Sequence, residues 1–167
     1  MKPIYLIGFM GSGKTTIGKI LAEHLNLDFI DLDSYIESDY NLSVHEIFDK
    51  YGEDRFRLIE WSNLNTVSKL NDVIISTGGG TPCFFNNIDF MNINGITIFF
   101  DEDIDVIYNR LLNDKSNRPL ISNLSNLDLY NYISDKLNER KKYYNKSKLK
   151  INSKGLKNLY EQLNGNN

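Results

Sequence analysis

Cysteine and proline are scarce in this sequence, and long apolar runs are missing. The 167 residues include three prolines and a single cysteine, Cys83, so no disulfide can form within the chain. This excludes the small disulfide-stabilised folds of oxidising compartments. No stretch of about 18 apolar residues occurs, which argues against a membrane-spanning helix. The first apolar run, residues 4–10, is too short for a secretory signal, so we expect a cytoplasmic protein with no membrane partner.

Positive charge is also in short supply, and arginine is its rarest source. The chain has 19 lysine and arginine residues against 22 acidic ones, a net charge of −3. This disfavours nucleic acid as a partner, because such binding depends on clustered cations. The only arginines are Arg55, Arg57, Arg110, Arg118 and Arg140. A guanidinium group is a rigid planar fork that lysine cannot reproduce, so these positions are candidates for binding carboxylate or phosphate groups.

The pattern of apolar residues predicts one domain built from alternating strands and helices. Short continuous apolar runs predict buried strands at residues 3–7, 29–32, 73–76, 96–100 and 149–151. Helical spacing lies between and after them, at residues 15–25, 44–51, 55–70, 104–112, 127–145 and 156–163, with Gly52 ending the second of these helices. Strands that are apolar on both sides favour a three-layer α/β/α fold with a parallel sheet.

The most specific motif is the sequence GFMGSGKT at residues 8–15, a full match to the phosphate-binding loop pattern G-x-x-x-x-G-K-[ST]. It lies between the first predicted strand and the first predicted helix, where backbone N–H groups and a helix N-terminus can surround phosphates. We expect Lys14 to reach the β and γ phosphates of ATP and the Thr15 hydroxyl to bind Mg²⁺. The residues expected to bind ATP here are Gly11, Ser12, Gly13, Lys14, Thr15 and Thr16.

Two pairs of charged residues point to a small-molecule phosphoryl acceptor. Asp31 and Asp33 follow the second predicted strand, at the edge where parallel sheets bind ligands. One carboxylate can serve Mg²⁺ and the other can accept a hydrogen bond from a substrate hydroxyl, although Asp33 as a simple helix N-cap is the alternative. Arg57 and Glu60 lie on one face of a predicted helix, so the carboxylate can orient the guanidinium towards a substrate carboxylate. The alternative is a solvated ion pair.

Two further segments are candidates for contact with ligands. Gly78, Gly79 and Gly80 end the third predicted strand, where missing side chains let the backbone approach a ligand closely. A plain flexible loop is the alternative there. Residues 113–126 form a polar stretch around Arg118 that is too long for an ordinary connection. We predict either a mobile functional loop or disorder for this stretch.

Together these motifs resemble the shikimate kinase family over nearly the whole chain. The resemblance rests on residues 8–16, 31–33, 56–60, 78–80 and 118–120, and on Arg140 ahead of Tyr143 and Tyr144. It implies a P-loop kinase fold with strand order 2-3-1-4-5 and a mobile lid. It also implies one domain over residues 1–167, with a shikimate-binding region at about 33–61 and the lid at about 113–126. The implied reaction is ATP-dependent phosphorylation of the 3-hydroxyl of shikimate, in the pathway to chorismate and aromatic amino acids.

The same resemblance implies roles for individual residues. Lys14 and Arg118 would stabilise the transferring phosphoryl group, and Asp33 would bind the shikimate hydroxyls. Asp31 would join Thr15 in binding Mg²⁺. The other residues implied to bind or enclose shikimate are Phe48, Phe56, Arg57, Glu60, Gly78, Gly79, Gly80 and Arg140. Additional contacts to ATP are implied for Arg110 and Lys154.

Two other functions fit parts of the sequence. One is a kinase of the same fold with another acceptor, such as gluconate or a nucleoside monophosphate. A nucleotide acceptor, however, needs more phosphate-binding cations than the few arginines provide. The other is a non-catalytic relative that binds ATP or shikimate as a sensor, against which the presence of Lys14, Asp33 and Arg118 argues. We expect a monomeric kinase whose partners are shikimate, ATP and Mg²⁺.

Overall fold

The fold is seen in a computed structural model, which describes residues 1–118, 120–152, 155 and 159. Within these residues the strands are β1 (Ile4–Ile7), β2 (Asp28–Asp31), β3 (Val73–Ser76), β4 (Ile96–Phe100) and β5 (Leu149–Ile151). The α-helices are α1 (Lys14–Leu25), α2 (Leu32–Tyr40), α3 (Val44–Val67), α4 (Asn87–Asn94), α5 (Ile104–Asn113) and α6 (Asn126–Tyr144). Short 3₁₀-helices cover Thr81–Cys83 and Lys115–Asn117. No helix in this part of the chain has the length and apolar character needed to cross a membrane.

The strands form one parallel sheet in the order β2-β3-β1-β4-β5. Alternate residues of β1 enter two different apolar clusters on the two faces of the sheet. Tyr5 and Ile7 pack with residues of α2, α3 and α4, whereas Ile4 and Leu6 pack with residues of α1. Because both faces are covered, every residue of β1 is buried, and this explains the continuous apolar runs in the sequence.

Most predicted elements agree with the structure to within a few residues, but α4 is absent from the predictions, and α2 entered them only through the alternative role of Asp33 as a helix N-cap. α2 buries only Leu32 and Ile36 among polar neighbours, which leaves a weak helical signal. The interpretation of Asp33 as a helix N-cap is wrong. α2 begins at Leu32, and its N-cap is Asp31, two residues before Asp33; the Asp31 carboxylate accepts a hydrogen bond from the Ser34 N–H at 3.3 Å. The helix predicted at residues 156–163 lies outside the described residues except for Leu159.

A sharp kink divides α3 at Gly52, where φ is 78° and ψ is 169°. The predicted end of a helix at this glycine is therefore confirmed. The first half of α3 begins with a reciprocal cap: the Ser43 hydroxyl accepts from the Glu46 N–H, and the Glu46 carboxylate accepts from the Ser43 N–H. The kink lets the two halves of α3 lie in different directions beside the carboxyl edge of the sheet.

The parallel sheet brings three loops to one edge. The phosphate-binding loop follows β1, and the triple glycine follows β3. Asp31 is the last residue of β2, and Asp33 comes two residues later. In the sheet, β3 lies between β2 and β1, so the glycine segment is central among the three. The carboxyl ends of parallel strands are the usual position of a ligand in such folds.

Gly95 joins α4 to β4 where the backbone passes close to the N-terminal segment. An added Cβ atom would collide with the carbonyl oxygen of Pro3 and would lie 2.7 Å from Cε2 of Tyr5. The Pro3 carbonyl also accepts from the Ile96 N–H at 3.0 Å, so it cannot move without breaking that bond. We expect Gly95→Ala to lower the free energy of unfolding by about 3 kcal/mol or more, measured by urea denaturation.

Gly52→Ala is the comparison variant for this measurement. A Cβ atom there has open space around it, so only the backbone conformation is unfavourable, in a region essentially restricted to glycine, and the expected cost is about 1–3 kcal/mol. The collision at Gly95 would be disproved if Gly95→Ala proved as stable as Gly52→Ala.

Candidate active site

The phosphate-binding loop joins β1 to α1 as the motif predicts. Gly8, Gly11 and Gly13 have φ values of 143°, 77° and 98°, a region that favours glycine. The curled backbone forms a concave surface, and α1 begins directly after it at Lys14. The Ser12 hydroxyl is buried in this loop, with no hydrogen-bond partner among the described residues. The loop and helix N-terminus therefore suit a phosphate group.

Lys14 lies inside this loop and is only 7% exposed. Its Nζ donates hydrogen bonds to the carbonyl oxygens of Gly8 at 2.8 Å and Phe9 at 2.9 Å. Burial lowers the Lys14 pKa to about 8, against the opposing effect of the Asp33 and Asp31 charges. An incoming phosphate would favour the charged ammonium group, because it supplies an anion where burial has removed water.

Three oxygen-bearing side chains meet at the start of α1. Thr15 Oγ1 donates to Oδ2 of Asp31 at 2.9 Å and lies 3.4 Å from Oγ of Ser76. Carboxylate and hydroxyl oxygens are ligands that Mg²⁺ prefers, so this donor set fits the ion. Thr15 and Asp31 are predicted from the sequence. Ser76 is not, because a serine that ends a buried strand carries no motif of its own.

Asp33 lies in the first turn of α2, partly buried and close to a second carboxylate. A Cβ atom on Gly78 would lie 3.0 Å from Oδ1 of Asp33 and 3.1 Å from Oε1 of Glu60, so both carboxylates approach this glycine. Burial, together with the charges of Glu60 and Asp31, raises the Asp33 pKa to about 7 against the opposing effect of Lys14. Asp33 can therefore exchange a proton near neutral pH.

Arg57 and Glu60 form a buried ion pair on α3. Their exposed fractions are 8% and 1%, and Nη1 of Arg57 donates to Oε2 of Glu60 at 2.8 Å. The alternative of a solvated pair is therefore wrong. The other oxygen of Glu60 accepts from the Thr81 hydroxyl at 2.5 Å. Glu60 thus fixes the guanidinium while being fixed itself by the segment after the triple glycine.

Other contacts of Arg57 were not predicted from the sequence. Glu53 Oε1 accepts from Nη2 of Arg57 at 3.1 Å and from Nε at 3.4 Å. The ring of Phe84 lies 4.3 Å from the guanidinium carbon, closer than the rings of Phe56 at 5.2 Å and Phe48 at 5.7 Å. The spacing of Glu53, four residues before Arg57 on a helix, is a signal that sequence reasoning could have used. Phe84 offers no such signal, because its contact depends on the tertiary fold.

Both arginines that are predicted to bind a carboxylate lie close to the triple glycine. A Cβ atom on Gly79 would lie 3.1 Å from Nη1 of Arg140, and one on Gly80 would lie 2.7 Å from Nη2 of Arg57. Arg140 comes from α6, where its guanidinium carbon lies 5.6 Å from the centre of the Phe9 ring. The two arginines therefore reach neighbouring residues of one backbone segment from different helices.

A cavity of about 450 Å³ joins the nucleotide side to the acceptor side. Its lining includes predicted residues from both sides: Gly11, Gly13, Lys14, Thr15, Thr16, Asp31, Asp33, Gly78, Gly79, Arg110 and Arg118. Other predicted residues do not line it, namely Ser12, Phe48, Phe56, Arg57, Glu60, Gly80 and Arg140. Of this second group, Arg140 lies next to Gly79, which lines the cavity, and Arg57 lies next to Gly80.

Arg110 and Arg118 lie at the nucleotide end of the cavity. Nη1 of Arg110 donates to the carbonyl oxygen of Gly11 at 3.1 Å, so this arginine braces the phosphate-binding loop. Nε of Arg118 donates to Oδ2 of Asp114 at 2.7 Å, a contact absent from the sequence predictions although its four-residue spacing could have suggested it. Lys154 lies outside the described residues. Arg55, which fits no motif, is exposed on α3.

The predicted lid is partly anchored. Ile121 is fully buried in an apolar cluster that also contains Phe9, Leu111 and Leu129. Its N–H donates to the Arg118 carbonyl oxygen at 3.0 Å, within a turn. The described residues of 113–126 therefore form turns and a short 3₁₀-helix on an apolar anchor.

Comparison with known sequences identifies the family. Residues 10–163 match the family model described as shikimate kinase. The shikimate kinase of Phocaeicola vulgatus is 45% identical over 148 residues, which cover 89% of this chain and 85% of that protein. The chain belongs to the shikimate kinase family.

Solved structures of shikimate kinases share the fold described above. The enzyme from Bacteroides thetaiotaomicron is 38% identical, with a TM-score of 0.94 over 98% of each chain. The enzyme from Acinetobacter baumannii, in complex with shikimate, is 30% identical, with a TM-score of 0.89 over 99% of this chain and 94% of that one. A deoxyadenosine kinase from M. mycoides, 14% identical with a TM-score of 0.59, is similar in fold alone. The predicted family and P-loop kinase fold are confirmed.

The raised pKa of Asp33 gives this shikimate kinase family member a specific pH dependence of stability. With a folded pKa of about 7 against an ordinary value of 3.8, Asp33 keeps a proton in the folded chain that the unfolded chain releases. The stability this provides is full below about pH 4 and is lost as pH rises towards 7. We expect the stability of Asp33→Asn relative to wild type to increase by about 1–2 kcal/mol between pH 5 and pH 8, measured by urea unfolding.

Asp39→Asn is the matched control, because Asp39 is exposed on the same helix. The pH-dependent gain in stability is expected to be larger for Asp33→Asn than for this control. A pH-independent difference for Asp33→Asn would contradict a raised pKa at that residue.

Proposed function

We propose that this chain transfers the γ-phosphoryl group of ATP to the 3-hydroxyl of shikimate, giving shikimate 3-phosphate and ADP in aromatic amino acid biosynthesis. The observation that supports this most strongly is the single cavity that joins the phosphate-binding loop to Asp33 and the glycine segment. Such a cavity can hold a nucleoside triphosphate and a hydroxyl acceptor in line. Alignment and charge neutralisation are the main demands of phosphoryl transfer.

On the nucleotide side, Lys14 and Arg118 stabilise the charge of the transferring phosphoryl group. Lys14 is already held in the phosphate-binding loop by two carbonyl oxygens, which an incoming phosphate replaces as its partners. Thr15 and Asp31 would hold Mg²⁺, which neutralises phosphate charge when bound. The remaining contacts to ATP come from the backbone of the loop and from Arg110, which lies against it.

On the acceptor side, Asp33 binds the hydroxyl that is to be phosphorylated and orients it towards the γ-phosphate. A pKa of about 7 lets this carboxyl accept the hydroxyl proton as the bond to phosphorus forms. Its position in the cavity with Lys14 keeps the acceptor oxygen next to the phosphate-binding loop. Asp33 is therefore the residue that couples acceptor binding to transfer.

Arg57 and Arg140 hold the carboxylate of shikimate. Both are oriented by other groups: Glu60 fixes Arg57, and the Phe9 ring supports Arg140. The backbone of the glycine segment lies against both guanidinium groups. Phe48 and Phe56, whose ring centres are 4.3 Å apart, provide the apolar wall beside Arg57. A carboxylic acid with ring hydroxyls matches this combination of groups.

Residues 113–126 act as a lid that closes over the cavity when both substrates are bound. Arg118 then leaves Asp114 for the transferring phosphoryl group, and closure excludes water that would otherwise accept it. We also propose that the chain is a single domain that works as a monomer in the cytoplasm.

A coupled assay of ADP release tests this function directly. Shikimate-dependent turnover with ATP and Mg²⁺ is expected, with little or none for quinate or gluconate. Turnover only with gluconate, quinate or a nucleoside monophosphate would assign another acceptor. Binding of ATP and shikimate without turnover would indicate a non-catalytic relative.

Arg118→Ala is expected to lower kcat by about 10³-fold, because it removes a cation from the developing charge of the transition state. The affinity for shikimate in the absence of ATP should remain nearly unchanged, since Arg118 lies at the nucleotide end of the cavity. Steady-state kinetics and calorimetric binding of shikimate measure the two quantities. Unchanged turnover in this variant would remove Arg118 from the mechanism.

Arg57→Ala is expected to weaken shikimate binding by about 2–5 kcal/mol, because the substrate carboxylate loses a buried partner. Arg57→Lys should also bind poorly, since a point charge cannot reproduce a two-pronged contact. Arg55→Ala is the matched control, with an exposed arginine of the same helix removed. Calorimetry that gives wild-type affinity for Arg57→Ala would overturn the role of this residue.

A further inference from the structure

Two neighbouring tyrosines at the end of α6 have very different surroundings. Tyr144 is fully buried, and its ring packs on Phe99 with 5.0 Å between ring centres. Its hydroxyl donates a hydrogen bond to the carbonyl oxygen of Gly79 at 2.5 Å. Tyr143 is only partly buried, and Lys142 lies over its ring at 5.1 Å. Tyr144 is thus the member of the pair that reaches the glycine segment of the acceptor site.

The same hydroxyl also interacts with the substrate-binding arginine of α6. Arg140 lies one helical turn before Tyr144, and its positive charge acts on the Tyr144 hydroxyl. Burial raises the pKa of Tyr144 well above its ordinary value, so the hydroxyl keeps its proton and remains a donor to Gly79. The Tyr144 hydroxyl therefore binds the Gly79 carbonyl oxygen beside the Arg140 guanidinium, whose Nη1 lies 3.1 Å from where a Cβ atom on Gly79 would lie.

The bond to Gly79 also sets the direction of the next N–H group. The described peptide bonds are trans, and in a trans peptide the carbonyl and the N–H point in opposite directions. Because the Gly79 carbonyl points to α6, the N–H of Gly80 points away from α6. Neither residue has a side chain, so rotation of this peptide plane is otherwise easy, and the tyrosine hydroxyl selects one orientation.

The position of this peptide makes its orientation important. A Cβ atom on Gly79 would lie 3.1 Å from Nη1 of Arg140 and 3.5 Å from both the Gly8 carbonyl oxygen and the Met10 nitrogen. The peptide therefore lies between the arginine and the phosphate-binding loop. A small rotation of the Gly79–Gly80 peptide would move the backbone groups of the acceptor side that lie next to the phosphate-binding loop.

We propose that the Tyr144 hydroxyl is a positioning group for the acceptor, which holds the Gly79–Gly80 peptide against Arg140 in the arrangement that receives the substrate carboxylate. The proposal rests on the acceptor site proposed above. Tyr144 does not touch the substrate and acts only through Arg140 and the glycine backbone. Its loss should therefore affect shikimate more than ATP.

Tyr144→Phe tests this, since it removes one oxygen atom and keeps the ring that packs on Phe99. The KM for shikimate is expected to rise roughly five- to tenfold, the effect of losing about one hydrogen bond. The KM for ATP and kcat should change less than about twofold. Calorimetric titration of shikimate without ATP should give the same loss of affinity, and this measurement does not depend on turnover.

Tyr143→Phe is the control, with the same chemical change at the next residue, and should match wild type in every constant. A purely structural role for Tyr144 would raise both KM values together or lower only the midpoint of thermal unfolding. Either result, or a Tyr144→Phe variant equal to wild type, would overturn the proposal. Failure of wild type to bind and phosphorylate shikimate would instead contradict the proposed function, so the two failures are distinguishable.

Discussion

The backbone at residues 78–80 carries no side chains, and charged groups occupy the space that this leaves. Asp33 and Glu60 approach the first glycine, Arg140 the second and Arg57 the third, each at 2.7–3.1 Å from where a Cβ atom would lie. These side chains come from α2, α3 and α6, so the glycine segment is the place where separate helices meet. Its strand lies between β1 and β2, which brings the segment next to the phosphate-binding loop and the two aspartates. Any side chain here would separate the groups that the site has to combine.

Burial of charge is the second property that unites the site. It lowers the Lys14 pKa to about 8 and raises the Asp33 pKa to about 7, so both pKa values lie close to neutral pH. The buried charge of Arg57 is compensated by Glu60 and Glu53, which accept hydrogen bonds from its guanidinium. Residues of this kind cost folding free energy that the apolar clusters on both faces of the sheet must offset. The energetic cost of the site is thus met by a core that is almost wholly aliphatic and aromatic.

The parts of this structure that were predictable from sequence are those with strong local signals. Strands buried on both faces give continuous apolar runs, and the phosphate-binding loop has a fixed pattern of residues. α2 and α4 lack such signals because few of their residues are buried apolar ones. In the site, motifs located Lys14 and Asp31, whereas Ser76, Phe84 and the Tyr144 hydroxyl act through contacts between distant segments. Only the tertiary fold determines those contacts, and a single sequence does not record them.

Glu53 already binds one edge of the Arg57 guanidinium, so a ligand that binds this edge must displace it. Any carboxylate that approaches along the edge formed by Nε and Nη2 meets an anion already there. Binding on that edge is an exchange of one anion for another, and its free energy is the difference between two ion pairs. Because the displaced glutamate is more than half exposed, it returns to water at little cost. Selectivity then depends on how well the rest of the ligand fits, since the shared charge contributes almost equally to every carboxylate.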